Sequence, residues 1–212
     1  MQKKKILIFS GSALILILLI IIIVHSFVFV HKCSYFGKIG IIDDCLSNEH
    51  SNIIYYQTNK IENIKKSHGD LLIDFLEKYN FEGNIYYFAA VDSSGKITSE
   101  QILNGLEWMY KNEITKVNIS LSSAFYNKQI DEWIQTHPDV QIYSSYNNDI
   151  NSVADYPAMY ENVIASGSDS RIKYKNNDSK YSSNKVIILY KNYYYVGNSY
   201  LSLLTMLKSN EI

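Results

Sequence analysis

From residue 36 onward, short apolar runs alternate with segments of helical periodicity, and no other feature restricts the chain as much. Lys38-Ile39-Gly40-Ile41-Ile42-Asp43 is a short apolar run closed by an acid, the pattern of a strand buried on both faces. Residues 68–80 then place Leu71, Leu72, Phe75, Leu76 and Tyr79 on one face of a helix. A strand is expected at 84–91 and a turn at 92–95. A helix opens at Thr98, with Ile102, Leu103, Leu106, Met109 and Tyr110 as its apolar positions. The series continues with a strand at 116–121, a helix over 126–137 that turns Ile130, Trp133 and Ile134 inward, and strands at 140–144 and 162–166. The polar stretch 168–184 reads as a surface excursion. Strands at 186–190 and 193–196 suit a hairpin about Lys191 and Asn192. A last helix begins near Ser199 and carries Leu201, Leu203, Leu204 and Leu207. Strands alternating with helices imply βαβ units, hence an α/β domain with a mainly parallel sheet and helices on both faces.

The stretch 6–30 contains no Lys, Arg, Asp or Glu, and only His25 interrupts it. At about 1.5 Å per residue it is long enough to cross a hydrocarbon core of about 30 Å, so one transmembrane helix is expected ahead of the domain. Lys3, Lys4 and Lys5 precede it, whereas His31, Lys32 and Lys38 lie beyond it. The positive-inside rule then puts 1–5 in the cytoplasm and 31–212 outside a single-pass cell-membrane span. A cleaved signal peptide is the rival; its apolar core usually runs about 7–15 residues and ends at a small-x-small site. Neither property is found, which favours an uncleaved anchor.

Cys33 and Cys45 both fall on the oxidising side, where one disulfide and two unpaired thiols suit their spacing equally. A net charge of −1 over 212 residues argues against a nucleic-acid partner, which calls for a basic excess. Cys and His are too sparse for a structural zinc site, and no metal ligand is assigned.

Three side chains suited to chemistry stand at element ends. Asp43 closes the first strand, His68 opens a helix in Ser67-His68-Gly69, and Ser199 opens the last helix in Gly197-Asn198-Ser199. Singly, each has a plainer reading as a turn acid, an exposed histidine and a helix cap. Together they supply the carboxylate, imidazole and hydroxyl of nucleophilic acyl transfer. A serine at a helix start also keeps its N–H free for a developing oxyanion. Trp108 and Trp133 read as core residues, and Tyr193, Tyr194 and Tyr195 as half-buried strand surface.

The segment Ala154-Asp155-Tyr156-Pro157-Ala158-Met159-Tyr160-Glu161-Asn162-Val163-Ile164-Ala165-Ser166-Gly167 resembles the one that follows the oxyanion asparagine in subtilisin-like serine proteases. The chain order Asp, His, Ser is that family's as well. Tyr87-Phe88-Ala89-Ala90-Val91, Asn104-Gly105-Leu106-Glu107-Trp108, Val117-Asn118-Ile119-Ser120-Leu121 and Ile142-Tyr143-Ser144-Ser145-Tyr146-Asn147 fall in register with its blocks, so the resemblance covers about residues 36–207. It implies a truncated subtilisin-like fold with Asp43, His68 and Ser199 as catalytic triad. Asn147 is the implied oxyanion donor, with Asn148 one residue away as the alternative. Ser120, Leu121 and Ser122 are implied by the same resemblance to form one wall of a substrate groove. The implied protein is a membrane-anchored serine endopeptidase acting on a peptide or protein substrate, such as an exported peptide. No cofactor is required, and the structural calcium frequent in the family has no assignable ligand set here.

The departures are specific. Asp43-Asp44-Cys45 stands in place of Asp-Ser/Thr-Gly, and Asp70-Leu71 replaces the Thr-His after His-Gly. Asn198, Leu201 and Leu203 break the serine motif, and Ser122-Ser123 replaces a Gly-Gly pair. Only 9 glycines occur in all, below the usual ~7%. The domain is short for the family and leaves no room for an inhibitory pro-region before Asp43. These features support a second reading, a catalytically inactive module that binds a peptide or partner protein at the membrane surface.

Overall fold

The computed structural model describes residues 27–29, 37–56, 67–148, 155–167, 187–190 and 193–209. In chain order the strands are β1 (Phe27–Phe29), β2 (Lys38–Asp43), β3 (Ile53–Tyr56), β4 (Asn84–Ala89), β5 (Lys116–Ile119), β6 (Gln141–Ser145), β7 (Val163–Ser166), β8 (Ile187–Tyr190) and β9 (Tyr193–Val196). The helices are α1 (His68–Lys78), α2 (Ser99–Lys111), α3 (Lys128–Thr136) and α4 (Asn198–Lys208). Six strands form one sheet in the order β3-β4-β2-β5-β6-β7, and every pairing in it is parallel. The expected α/β class with a mainly parallel sheet is what the chain adopts.

Strand alternation decides what each face of the sheet meets. Ile39, Ile41, Ile85, Tyr87 and Ala89 share one cluster with Leu72, Phe75 and Leu76 of α1 and Leu203, Leu204 and Leu207 of α4. Ile42, Tyr86, Phe88, Val117 and Ile119 share the other with Leu106 and Met109 of α2 and Ile130, Trp133 and Ile134 of α3. Two helices thus cover each face, as the unbroken apolar strands require. Each such Ile, Leu or Phe contributes about 1.5–3 kcal/mol by leaving water. Side chains close the helix starts: Thr98 accepts from Gln101 N–H, and Asn127 accepts from Ile130 N–H.

The structure differs from the sequence reading at three places. Residues 27–29, assigned to the end of a membrane helix, form β1, which pairs parallel with β8 from Phe27 opposite Ile187 to Phe29 opposite Leu189. An aromatic and β-branched Phe-Val-Phe run is good strand material once a partner strand satisfies its backbone. Residues 6–26 lie outside the described residues, and among those described no helix is long and apolar enough to cross a membrane. Second, Ile53–Tyr56 forms an edge strand that the sequence reading passes over. It is short and its side chains are largely exposed, so it carries no alternation, although Tyr56 stacks on Phe88 and Trp108 at ring separations of 4.8 and 5.4 Å. Third, Tyr110 does not enter the core; it is exposed and packs edge-on against His137 at 4.6 Å. Cys45 is a buried free thiol, and Cys33 lies outside the described residues. The hairpin is present, with β8 and β9 antiparallel and Tyr190 opposite Tyr193; its tip at 191–192 is outside the described residues, as is the whole polar stretch 168–184.

Candidate active site

All six strands of the main sheet run the same way, so their carboxyl ends gather along one rim. Crevices at that rim are where α/β sheets present reactive side chains. Asp43 is the last residue of β2, Ser120–Ser122 follow β5, Ser145 ends β6, and Tyr146, Asn147 and Asn148 continue from it. His68 at the start of α1 and Ser199 in the first turn of α4 reach the same place. A cleft of about 240 Å³ is lined by all of these together with Asp44 and Ile97.

The Asp43 side chain is fully buried. Its Oδ1 accepts from Asp44 N–H at 2.8 Å and lies 2.8 Å from His68 Nδ1. An ionised carboxylate only accepts, so Nδ1 carries the ring proton and Nε2 is the nitrogen left to exchange one. The imidazole is 36% exposed, placed between the buried carboxylate and the open cleft. Burial alone would lower its pKa. The hydrogen bond to Asp43 and the charges of Asp43 and Asp44 outweigh that and raise it above the ordinary 6.5.

The backbone that carries this imidazole is held just as closely. Asp44 Oδ2 accepts from His68 N–H at 2.9 Å, and Oδ1 accepts from Gly69 N–H at 2.8 Å. Ser67 and Asp70 complete a capping box, so side chains satisfy the first free N–H groups of α1. Negative charge at this helix end also suits the helix dipole. Tyr87 donates to the Asp44 carbonyl at 2.7 Å. Gly69 is required by that phenol, since a Cβ there would lie 1.8 Å from the Tyr87 oxygen.

Asn198 and Asn148 organise the serine end. Asn198 N–H donates to Asn148 Oδ1 at 2.9 Å, and its buried carboxamide donates to the Tyr146 carbonyl at 3.1 Å. Gly167, at φ +82°, leaves room for that carboxamide; a Cβ would stand 2.3 Å from Asn198 Cγ. One turn along α4, Ser202 accepts from Asn118 Nδ2 at 2.7 Å, and Ser120 donates to Asn118 Oδ1 at 2.7 Å. This buried chain ties the cleft floor to the helix that bears Ser199.

The residues singled out in the sequence, Asp43, His68, Ser199, Asn147, Ser120, Leu121 and Ser122, therefore line one cleft. Of the two asparagines left open, Asn148 is the one whose carboxamide accepts from the N-terminus of the serine helix. Asp44 and Asn198, which count as departures from a motif when read in sequence, make the contacts that seat the histidine and serine helices. Adjacent acids at a strand end were the available signal for Asp44; Asn198 offered none beyond standing next to Ser199. Among the described residues, no group of three or more His, Cys, Asp or Glu is arranged to hold a metal ion. Chemically, the buried carboxylate paired to His68 Nδ1 leaves Nε2 as the nitrogen to exchange a proton, and the Ser199 hydroxyl lines the same cleft.

No family model and no curated protein matches the chain. Among solved structures it is similar to a psychrophilic subtilisin-like protease from the Antarctic psychrotroph Pseudoalteromonas sp. AS-11, with 18% identity and a TM-score of 0.48. The match covers 70% of this chain and 39% of that protease.

Proposed function

We propose that the chain is a serine endopeptidase using Asp43, His68 and Ser199. The observation that carries this reading is the 2.8 Å Asp43–His68 pair opening onto a cleft that Ser199 also lines. Ser199 Oγ attacks the scissile carbonyl, and His68 Nε2 takes its proton and returns it to the leaving amine. Asp43 holds the tautomer and stabilises the imidazolium. The Ser199 N–H and an asparagine carboxamide receive the oxyanion. The anchoring of Asn148 favours it over Asn147 for that part. Ser120, Leu121 and Ser122 flank the peptide backbone. The mechanism calls for no cofactor.

The apolar stretch 6–26 supports a single-span tether with the catalytic domain outside the cell. Exported peptides or membrane-proximal segments of other proteins are then the natural substrates. Resistance to alkaline carbonate extraction tests the tether, and a freely extracted protein overturns it. A fluorophosphonate probe tests the chemistry. Labelling lost in Ser199→Ala and His68→Ala supports the endopeptidase. A folded wild type that takes up no probe instead makes the chain a peptide-binding module, a reading favoured by Ser122 and Ser123 standing where the family carries glycines.

A further inference from the structure

We propose that Asp44 is a positioning residue for His68, so that consecutive carboxylates hold one histidine, Asp43 by its ring and Asp44 by its backbone. The inference deepens the endopeptidase reading and rests on it for its catalytic consequence, though not for its geometry. Both Asp44 oxygens are engaged by the first turn of α1, one on His68 N–H and the other on Gly69 N–H, at 2.9 and 2.8 Å. Asp44 is itself held from two sides, by Tyr87 on its carbonyl and by its own N–H on Asp43 Oδ1. The same Asp43 oxygen meets the His68 ring. The loop closes on itself: strand end, helix start and imidazole form one hydrogen-bonded unit in which the ring cannot turn without displacing a charged bond.

A serine or threonine at 44 has a single side-chain oxygen and so cannot give each of these two N–H groups an acceptor atom of its own. A carboxylate can, and such charge-assisted bonds are roughly twice as strong as neutral ones. The other titratable groups at this corner are Asp43, Cys45, Tyr55, Asp70 and Tyr87, with His50 on Asp70, and no lysine or arginine is among the described residues that line the cleft. Asp44 thus adds negative charge beside the imidazole while fixing its backbone, with no lysine or arginine among the described cleft residues to offset it.

The test is histidine NMR on the full chain in detergent micelles, with the His68 signals identified by their loss in His68→Gln. In Asp44→Ala the His68 titration midpoint falls, and the downfield Nδ1–H signal of the Asp43 pair broadens. Fluorophosphonate labelling of Ser199 slows by about 10²-fold, as expected for a misplaced base. Asp44→Asn, which keeps one acceptor, and Tyr87→Phe, which frees the Asp44 carbonyl, shift the same signals less and in the same direction. They decide the matter if Asp44→Ala does not fold. Folded variants with lowered stability but unchanged His68 midpoint and Nδ1–H signal overturn the proposal and leave Asp44 a helix cap. A wild type without labelling defeats the endopeptidase reading alone, because the imidazole signals still report on Asp44.

Discussion

The main-chain N–H of Asn198 donates to the side-chain oxygen of Asn148 at 2.9 Å, joining residues 50 positions apart. The bond uses the acceptor end of the Asn148 carboxamide and leaves its NH₂ as the donor end. Ser199, whose N–H is the other proposed donor, is the next residue after Asn198. Asn147 engages Asn198 through its main-chain carbonyl, at 3.4 Å. Removing one oxyanion donor costs about 10²–10³-fold in turnover. Asn148→Ala should therefore lower kcat by that factor with little change in KM, whereas Asn147→Ala should stay within a few fold. Steady-state kinetics on a peptide substrate separates them, and the opposite ranking returns the role to Asn147.

In the proposed mechanism the Asp43–His68 pair sets the pH profile. That mechanism needs His68 neutral to accept the Ser199 proton. Against the lowering effect of burial, the Asp43 hydrogen bond and the Asp43 and Asp44 charges raise the His68 pKa above the ordinary 6.5. Activity should accordingly rise with pH through a midpoint above 6.5, and not fall across that range. Asp43→Asn removes the acceptor that fixes the Nδ1–H tautomer, for a loss of about 10⁴-fold in kcat. A profile already flat below pH 6.5 would mean that another group limits the reaction.

What the sequence makes legible here is whatever local periodicity records. Ile39, Ile41 and Ile42 announce a doubly buried strand, and Leu72, Phe75 and Leu76 a helix face, because each depends on neighbours two to four positions away. Periodicity places Asp43, His68 and Ser199 at element ends, but singly they read as a turn acid, an exposed histidine and a helix cap, and only the resemblance to subtilisin-like proteases groups them. The supporting contacts are not legible. Asp44 meets Gly69, Asn198 meets Asn148, and Asn118 meets Ser202 across 25 or more positions, so their value depends on a fold that motif comparison does not calculate. Phe27–Phe29 is misread for a related cause: its apolar character suits a membrane helix equally well until the partner strand at Ile187–Leu189 is known.

Asp70 should make the fold acid-sensitive. Burial would raise its pKa, but hydrogen bonds from the Ser47 hydroxyl and N–H and from the Ser67 N–H bring it from 3.8 down to about 2. A carboxylate depressed in this way adds stability that is fully present above about pH 4 and lost as pH falls through about 2. Asp70→Asn should cost on the order of 1–2 kcal/mol at neutral pH and flatten that part of the acid limb. Urea titrations between pH 5 and 2 read both effects; parallel curves for wild type and variant would show that Asp70 is not the group responsible.

Gly69 should tolerate no side chain. A Cβ would stand 1.8 Å from the Tyr87 oxygen and 2.7 Å from its Cζ, and the ring is fully buried and donates to the Asp44 carbonyl at 2.7 Å. Neither partner can yield alone, because moving Tyr87 releases Asp44 and moving α1 displaces His68. Gly69→Ala should therefore destabilise by about 1–3 kcal/mol, the usual cost of overpacking. Tyr87→Phe removes the nearer atom but leaves Cζ, so in the double variant it should restore part of that loss. A double-mutant cycle from thermal unfolding reads the coupling, since residues in contact depart from additivity by about 0.5–3 kcal/mol. Strict additivity would mean that the two groups do not meet, and with it would go the account of why a glycine follows the histidine.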